Sequence, residues 1–284
     1  APLMVAAASL RNRLRIPAVV ALPVASLAPL AAIVATPPRS RVRYVAAGGA
    51  YMWLFSVSWQ MPADDRARQR RRLRQDYPIR LDRILGAGVP PGLRLQRALR
   101  DPERVTGLDT AVSVIYGSWF VPHLLLGYVL LRHREFVPRA AGRLAAAYHL
   151  TVPFYWIVPT APPWWASEYG GRMDGELQRV VPRVVRDVLN RPPSAPGESS
   201  GNPWGSMPSD HIASAAITAM ALSEIGVLHG AFGWAYVAGA SFAVVYLGEH
   251  YVVDVLAGLA IAEAINVAEP HVTPLVRRLA RELE

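Results

Sequence analysis

Seven stretches of this chain are nearly free of charge, and polar segments separate them. They run from Pro17 to Thr36, Val42 to Gln60, Leu108 to Leu131, Ala140 to Pro159, Ile212 to Leu228, Ala231 to Gly248 and Tyr251 to Ala268. Each approaches the roughly 20 apolar residues that an α-helix needs to cross a bilayer. The centres of the second, third and sixth hold no charge; the fifth holds only Glu224, and the seventh holds Asp254 and Glu263. Pro23 and Pro29 interrupt the first, which predicts a kinked span or an interfacial segment there. The pattern as a whole predicts an all-α integral membrane protein. It has a six-helix transmembrane core, an extra N-terminal helix and interfacial amphipathic helices.

The polar segments set the organisation. A single membrane domain over residues 1–284 is expected, with N-terminal helices in 1–60, a basic interfacial segment in 61–107, a catalytic helical core in 108–268 and a tail in 269–284. The basic segment carries twelve arginines against six acids, with leucine and isoleucine interspersed, as in helices that lie among lipid head groups. Within the core, the polar loop 160–207 is electrically balanced, with a helix predicted over Gly175 to Asn190 and a Pro/Gly/Ser run over Arg191 to Gly201.

Composition sharpens this picture. Of 284 residues 52% are hydrophobic and 18% charged, against about 25% charged in an ordinary soluble domain. The net charge is +9, all from arginine, a usage typical of high-GC bacterial coding. In a chain this apolar, that charge points to anionic lipid head groups and not to nucleic acid. Cysteine is absent, which removes disulfides, thiolate metal sites and cysteine nucleophiles. The first residues read as neither a signal peptide nor a lipidation motif. Arg39, Arg41 and Arg43, then Arg132, Arg134, Arg139 and Arg143, then Arg277, Arg278 and Arg281 fall on one side of alternating spans. The positive-inside rule makes that side cytoplasmic and the opposite, active face extracytoplasmic. The expected location is the cell membrane, with multiple passes.

Two motifs share the active face. Gly201-Asn-Pro-Trp-Gly-Ser-Met-Pro-Ser-Asp-His211 ends where the fifth apolar run begins, and Tyr246-Leu-Gly-Glu-His-Tyr-Val-Val-Asp254 opens the seventh. One helix out and one helix back return the chain to the same surface, so His211 and His250 can meet. An imidazole that attacks phosphorus must be neutral and oriented, and a carboxylate on its far nitrogen secures both. Asp254, four residues after His250 and so on the same helix face, suits that role. A second imidazole, His211, can protonate the leaving oxygen and later deprotonate the acceptor. Ser209 is placed to cap the helix that His211 enters, and exposed N–H groups at a helix start favour phosphate. Ser209, Asp210, Arg191, Asn202 and Gly248 are the expected phosphate contacts. No cofactor is expected, and no metal, because no His-x-x-x-His pair accompanies the trio. His123, His133, His149, His229 and His271 lack such company and read as structural.

Pro-Ser-Asp-His211, followed by Gly-Glu-His-Tyr-Val-Val-Asp-Val-Leu-Ala-Gly258, resembles the second and third signature motifs of the type 2 phosphatidic-acid phosphatase superfamily. The resemblance spans Leu108 to Ala268. It implies a six-helix membrane enzyme working through a phosphohistidine, with His250 as nucleophile, Asp254 as its partner and His211 as acid and base. Pro159-Thr-Ala-Pro-Pro-Trp-Trp165 with Asn202-Pro203 resembles the inositol phosphorylceramide synthase branch. Val184 and Val244 stand where the phosphatases carry a lysine and an arginine. A phosphomonoester dianion needs those cations more than a phosphodiester does. The expected activity is therefore transfer of a phospho-head group, such as phosphoinositol, from a membrane lipid donor to a lipid or polar alcohol acceptor. The alternative is a lipid phosphate or polyprenyl (pyro)phosphate phosphatase using the same histidines. A transporter, which would show inverted repeats and broken helices at mid-membrane, fits less well.

Overall fold

The architecture is all-helical. It is given by a computed structural model that describes residues 14, 16–38, 40–119, 127, 132–133, 136–190 and 202–282. The described helices are α1 (Ala18–Val34), α2 (Arg41–Gln60), α3 (Arg66–Arg71), α4 (Asp76–Leu85), α5 (Pro91–Leu99), α6 (Gly107–Gly117), α7 (Val137–Ile157), α8 (Pro163–Glu168), α9 (Val181–Leu189), α10 (Asp210–Ile225), α11 (Val227–Tyr246) and α12 (Val252–Glu282). Among the described residues the only β-type pairing is two isolated bridges, Arg74 with Thr160 and Thr160 with Gly205.

Helix α10 is the axis of the molecule. Ile212, Ala213, Ala215, Ala216, Ile217 and Ala219 are buried on every side of it, because α7, α11 and α12 surround it. Alanine makes this possible, since short side chains let helix backbones approach closely. The partner helix uses the same device. A Cβ on Gly233 of α11 would fall 2.8 Å from the Ala219 Cα, and one on Gly230 would fall 2.6 Å from the Ser223 hydroxyl. Gly226 ends α10, and the chain turns directly into α11.

A second, smaller cluster roofs the α10 N-terminus. Ile79, Leu93, Trp164, Trp165, Leu177, Trp204 and Tyr251 pack together there. The Thr160 bridges stitch this roof: the Arg74 N–H donates to the Pro159 carbonyl, and the Thr160 N–H donates to the Trp204 carbonyl. Residues 61–107 are thus built into the fold through Ile79 and Leu93 and are not a free basic loop. Their outer face still mixes arginine with exposed Leu81, Ile84 and Leu85.

The helix expected over Gly175 to Asn190 is shorter, covering Val181–Leu189. Residues 176–180 form no helix, and tertiary partners satisfy their backbone. Leu177 N–H donates to Ser167 Oγ, Gln178 N–H to Gln96 Oε1, and Arg179 N–H to Glu168 Oε1. Pro182 then occupies the first turn, where its missing N–H costs nothing. By length and composition, one helix among the described residues, α11, is long and apolar enough to cross a membrane, and Val20–Val34 is a shorter apolar helix. Helix α10 spans 16 residues, short of the roughly 20 of a full crossing. Helices α2 and α7 are long enough but carry Arg41 and Arg43, and Arg139 and Arg143. Most of the third run, residues 120–126 and 128–131, lies outside the described residues.

Candidate active site

The two motif histidines meet. Their rings stand edge to face with centroids 5.5 Å apart, His211 from the first turn of α10 and His250 from the loop between α11 and α12. His211 is set between two further rings, stacked on Tyr116 at 5.1 Å and tilted against Trp119 at 5.3 Å. Those aromatics come from α6 and its C-terminal end, which descends beside α11. Nothing in their spacing marked them as neighbours of the histidine.

His250 is reached by a sharp turn. Gly248 has φ +76°, a left-handed conformation that favours glycine, and a Cβ there would fall 2.7 Å from Leu177 Cδ2. The Gly248 carbonyl accepts from the Trp164 N–H, while the Glu249 and His250 N–H groups both donate to the Val244 carbonyl. Of the expected phosphate contacts, Gly248 therefore has a backbone role that explains it without a ligand.

Asp254 is fully buried in the first turn of α12. Because the helix begins at Val252, His250 and Asp254 do not lie on one helix face as the spacing implied. The carboxylate reaches back over the helix start instead. Its Oδ2 stands 3.3 Å from His250 Nδ1 and accepts the Tyr251 N–H at 3.0 Å. A third donor, Ser206 Oγ, lies 2.5 Å from the same oxygen. Ser206 is 3% exposed, and the sequence offered no signal that singles it out.

The helix that carries Asp254 is fastened from outside the motif. Asp82 of α4, 1% exposed, accepts the Val252 N–H at 3.1 Å and the Val253 N–H at 2.9 Å. It caps α12 from another element. Burial outweighs these two bonds and pushes the Asp82 carboxyl up to about 6.

Other expected contacts are placed as follows. Ser209 precedes α10, but its hydroxyl makes no capping bond and is buried without a partner among the described residues. Its N–H instead donates to the Asp254 carbonyl at 2.9 Å, which ties the two motifs together. Gly258 permits that closeness, since a Cβ there would collide with the Ser209 carbonyl. Asp210 is buried, and its Oδ1 accepts from Thr151 Oγ1 of α7 at 3.3 Å. Asn202 is also buried; its Oδ1 accepts from Gln69 Nε2 and from the Trp204 N–H. Arg191 lies outside the described residues.

The cation question is sharpened by packing. Val184 and Val244 are 6% and 1% exposed, each inside an apolar cluster. Both side chains are sealed from water, so an arginine restored at 244 would place its charge in an apolar cluster. The arginines of the polar loop divide clearly. Arg172 pairs with Asp76, Arg186 pairs with its neighbour Asp187, and Arg183 donates to the Pro102 carbonyl, all at exposed positions. Arg179 is different: it lies alongside the His250 loop, its Nε bonded to Glu249 Oε1 at 2.7 Å and its guanidinium carbon 4.3 Å from the Trp164 ring centre. No group of three or more histidine or acidic residues able to hold a metal ion occurs among the described residues.

A family model described as the PAP2 superfamily matches residues 79–268. That interval begins at Ile79 in α4 and closes in α12, so it takes in both motifs and the Asp82 cap. No curated protein and no solved structure matches the chain.

Proposed function

The chain belongs to the PAP2 superfamily, whose members are phosphatases and phosphotransferases, and on that premise we propose that it is a membrane phosphotransferase. It moves a phospho-head group from a lipid phosphodiester to an alcohol acceptor through a phosphohistidine. The observation that carries this reading is the facing pair of imidazoles, with a buried carboxylate on the inner nitrogen of one.

The steps follow from that geometry. With Nδ1–H directed at Asp254, His250 keeps a lone pair on Nε2, which attacks phosphorus. The bond from phosphorus to the leaving alcohol oxygen breaks as His211, in its protonated form, delivers a proton to that oxygen. Asp254 stabilises the positive charge that develops on His250. His211, now neutral, removes the proton of the acceptor hydroxyl, whose oxygen attacks phosphorus and releases His250 Nε2. Water in place of the acceptor gives hydrolysis, the phosphatase reading, by the same steps. The burial of Val184 and Val244 favours the diester donor, because a site without those cations stabilises a monoanion better than a dianion.

Location follows the same logic. Large apolar side chains lie exposed on the outside of α1, α2, α7, α11 and α12, among them Leu27, Val45, Phe154, Phe232 and Val267. A surface of that extent is costly in water and favourable in lipid. We place these helices across the bilayer, with the α4 face, carrying Arg80, Arg83, Ile84 and Leu85, against anionic head groups.

The test is direct. Purified protein incubated with head-group-labelled phosphatidylinositol and then quenched should carry an acid-labile, base-stable phosphoryl adduct. His250→Ala should remove the adduct, and His211→Ala should slow its formation and its resolution. Asp254→Asn should lower turnover by about 10³–10⁴-fold, the scale on which an orienting carboxylate matters. An adduct that survives in His250→Ala would refute the mechanism.

A further inference from the structure

We infer that Arg179 is a phosphate-binding residue of this site and that its pairing with Glu249 sets the preference for a monoanionic phosphodiester over a dianionic phosphomonoester. The inference rests on the proposed phosphotransferase reading and concerns which charge state of phosphate the site accepts.

Position comes first. The non-helical segment that carries Arg179 runs beside the histidine loop, since the Val180 N–H donates to the Leu247 carbonyl and Gln96 Nε2 bridges the Gln178 and Tyr246 carbonyls. The Arg179 guanidinium is thereby held against Glu249, the residue immediately before His250. Trp164 supports it from below, and Trp164 is itself anchored by its N–H to Gly248 in the same loop. The Arg179 side chain is 27% exposed while that of Glu249 is 7% exposed, so the pair opens outward on its cationic side. Glu249 takes the Nε and Nη2 donors. A guanidinium has five N–H bonds, so three are left uncommitted among the described residues.

Charge comes second. A lone arginine against the loop that carries His250 would attract a dianion more strongly than a monoanion. Arg179 is not alone: with Glu249 bonded to it, the pair has no net charge yet still presents planar N–H donors. Such a pair offers hydrogen bonds to a phosphodiester without the excess positive field that a phosphomonoester needs. Cation and carboxylate together therefore act as a filter on phosphate charge. The filter stands where the family's two cation positions, here Val184 and Val244, are closed by packing.

The two partners give the experiment opposite signs. Orthovanadate binding to the detergent-solubilised full chain, read by calorimetry, is compared in wild type, Arg179→Gln and Glu249→Gln. Arg179→Gln should weaken binding at least tenfold. Glu249→Gln keeps the side-chain shape and leaves Arg179 on Trp164, so binding should tighten several-fold. In turnover assays, Glu249→Gln should also raise the kcat/KM for a lipid phosphomonoester relative to a phosphodiester. If the ion pair serves structure only, both variants should move binding in the same direction or not at all, and either result overturns the inference. Should Arg179→Gln fail to fold, Glu249→Gln decides alone: tighter binding supports the inference and unchanged or weaker binding overturns it. A wild-type chain that takes up no orthovanadate and turns over no phospholipid removes the phosphotransferase reading and this inference together. Wild-type turnover with Arg179→Gln unaltered removes this inference only.

Discussion

At the scale of single residues, the Asp254 carboxylate gathers three donors on one oxygen: His250 Nδ1, the Tyr251 N–H and Ser206 Oγ. The serine donates from a side chain that is not itself the proposed nucleophile, so its contribution is separable. Hydrogen bonds to a charged group are worth about 1.5–3 kcal/mol. Ser206→Ala should therefore lower kcat by about 10–100-fold with little change in KM, if orientation of the carboxylate is carried into the transition state. Ser206→Thr, which keeps the hydroxyl, should recover most of the loss. A kcat unchanged in Ser206→Ala would mean that the Tyr251 N–H alone holds the carboxylate.

At the scale of elements, the helix that bears Asp254 depends on a residue far from it in sequence. Asp82 closes the start of α12 with two bonds, and the Ser209 N–H adds a third tie through the Asp254 carbonyl. Asp82→Ala should lower the unfolding temperature and, by loosening the first turn of α12, lower activity as well. A pH effect accompanies this. The folded carboxyl is raised from 3.8 to about 6, so between those values the folded state holds a proton that the unfolded state has lost. Stability contributed at this position is then fully present below 3.8 and is lost as pH rises through about 6. Thermal unfolding between pH 4 and pH 7 should show that decline in the wild type and a flatter profile in Asp82→Asn. Equal slopes for the two proteins would show that Asp82 does not titrate in this range.

For the whole molecule, the site lies at one end of α10, and the turn at Gly226 lies at the other. Arg104, 83% exposed in its side chain, is on the site side next to the start of α6, while Val227, 88% exposed, marks the far end. The chain has no cysteine, so each position can be probed singly. Arg104→Cys in intact cells should react with an impermeant thiol reagent, and Val227→Cys should react only after the membrane is opened. The reverse pattern would put the active face in the cytoplasm. The two ends also differ in how they are held together. At the far end a buried Arg143 joins Glu224 and Glu269, binding α7, α10 and α12. Near the site the ties are backbone and side-chain hydrogen bonds together with the Arg179–Glu249 ion pair.

The local pattern was enough to show that the chain is helical and apolar, and where two histidine motifs begin. Helix periodicity, chain reversal and the i,i+4 spacing are short-range properties, so His211, His250 and Asp254 were legible before any fold was known. Their placement was not legible in detail, because the carboxylate reaches back over a helix start and the spacing could not say where that helix begins. The late start of the helix at Val181 was also hidden, because Gln96, Ser167 and Glu168 satisfy the backbone before it from other parts of the chain. The same holds for the partners of the site. Asp82 and Tyr116 are brought to the site by the packing of α4 and α6, Ser206 by the loop before α10, and Arg179 by the segment after α8 that lies against the His250 loop, and no periodicity along the chain encodes which distant side chain fills the space beside another. Val184 and Val244 carry the same lesson in reverse: the sequence showed that cations were missing there, and only the packed core showed that both side chains are sealed from water.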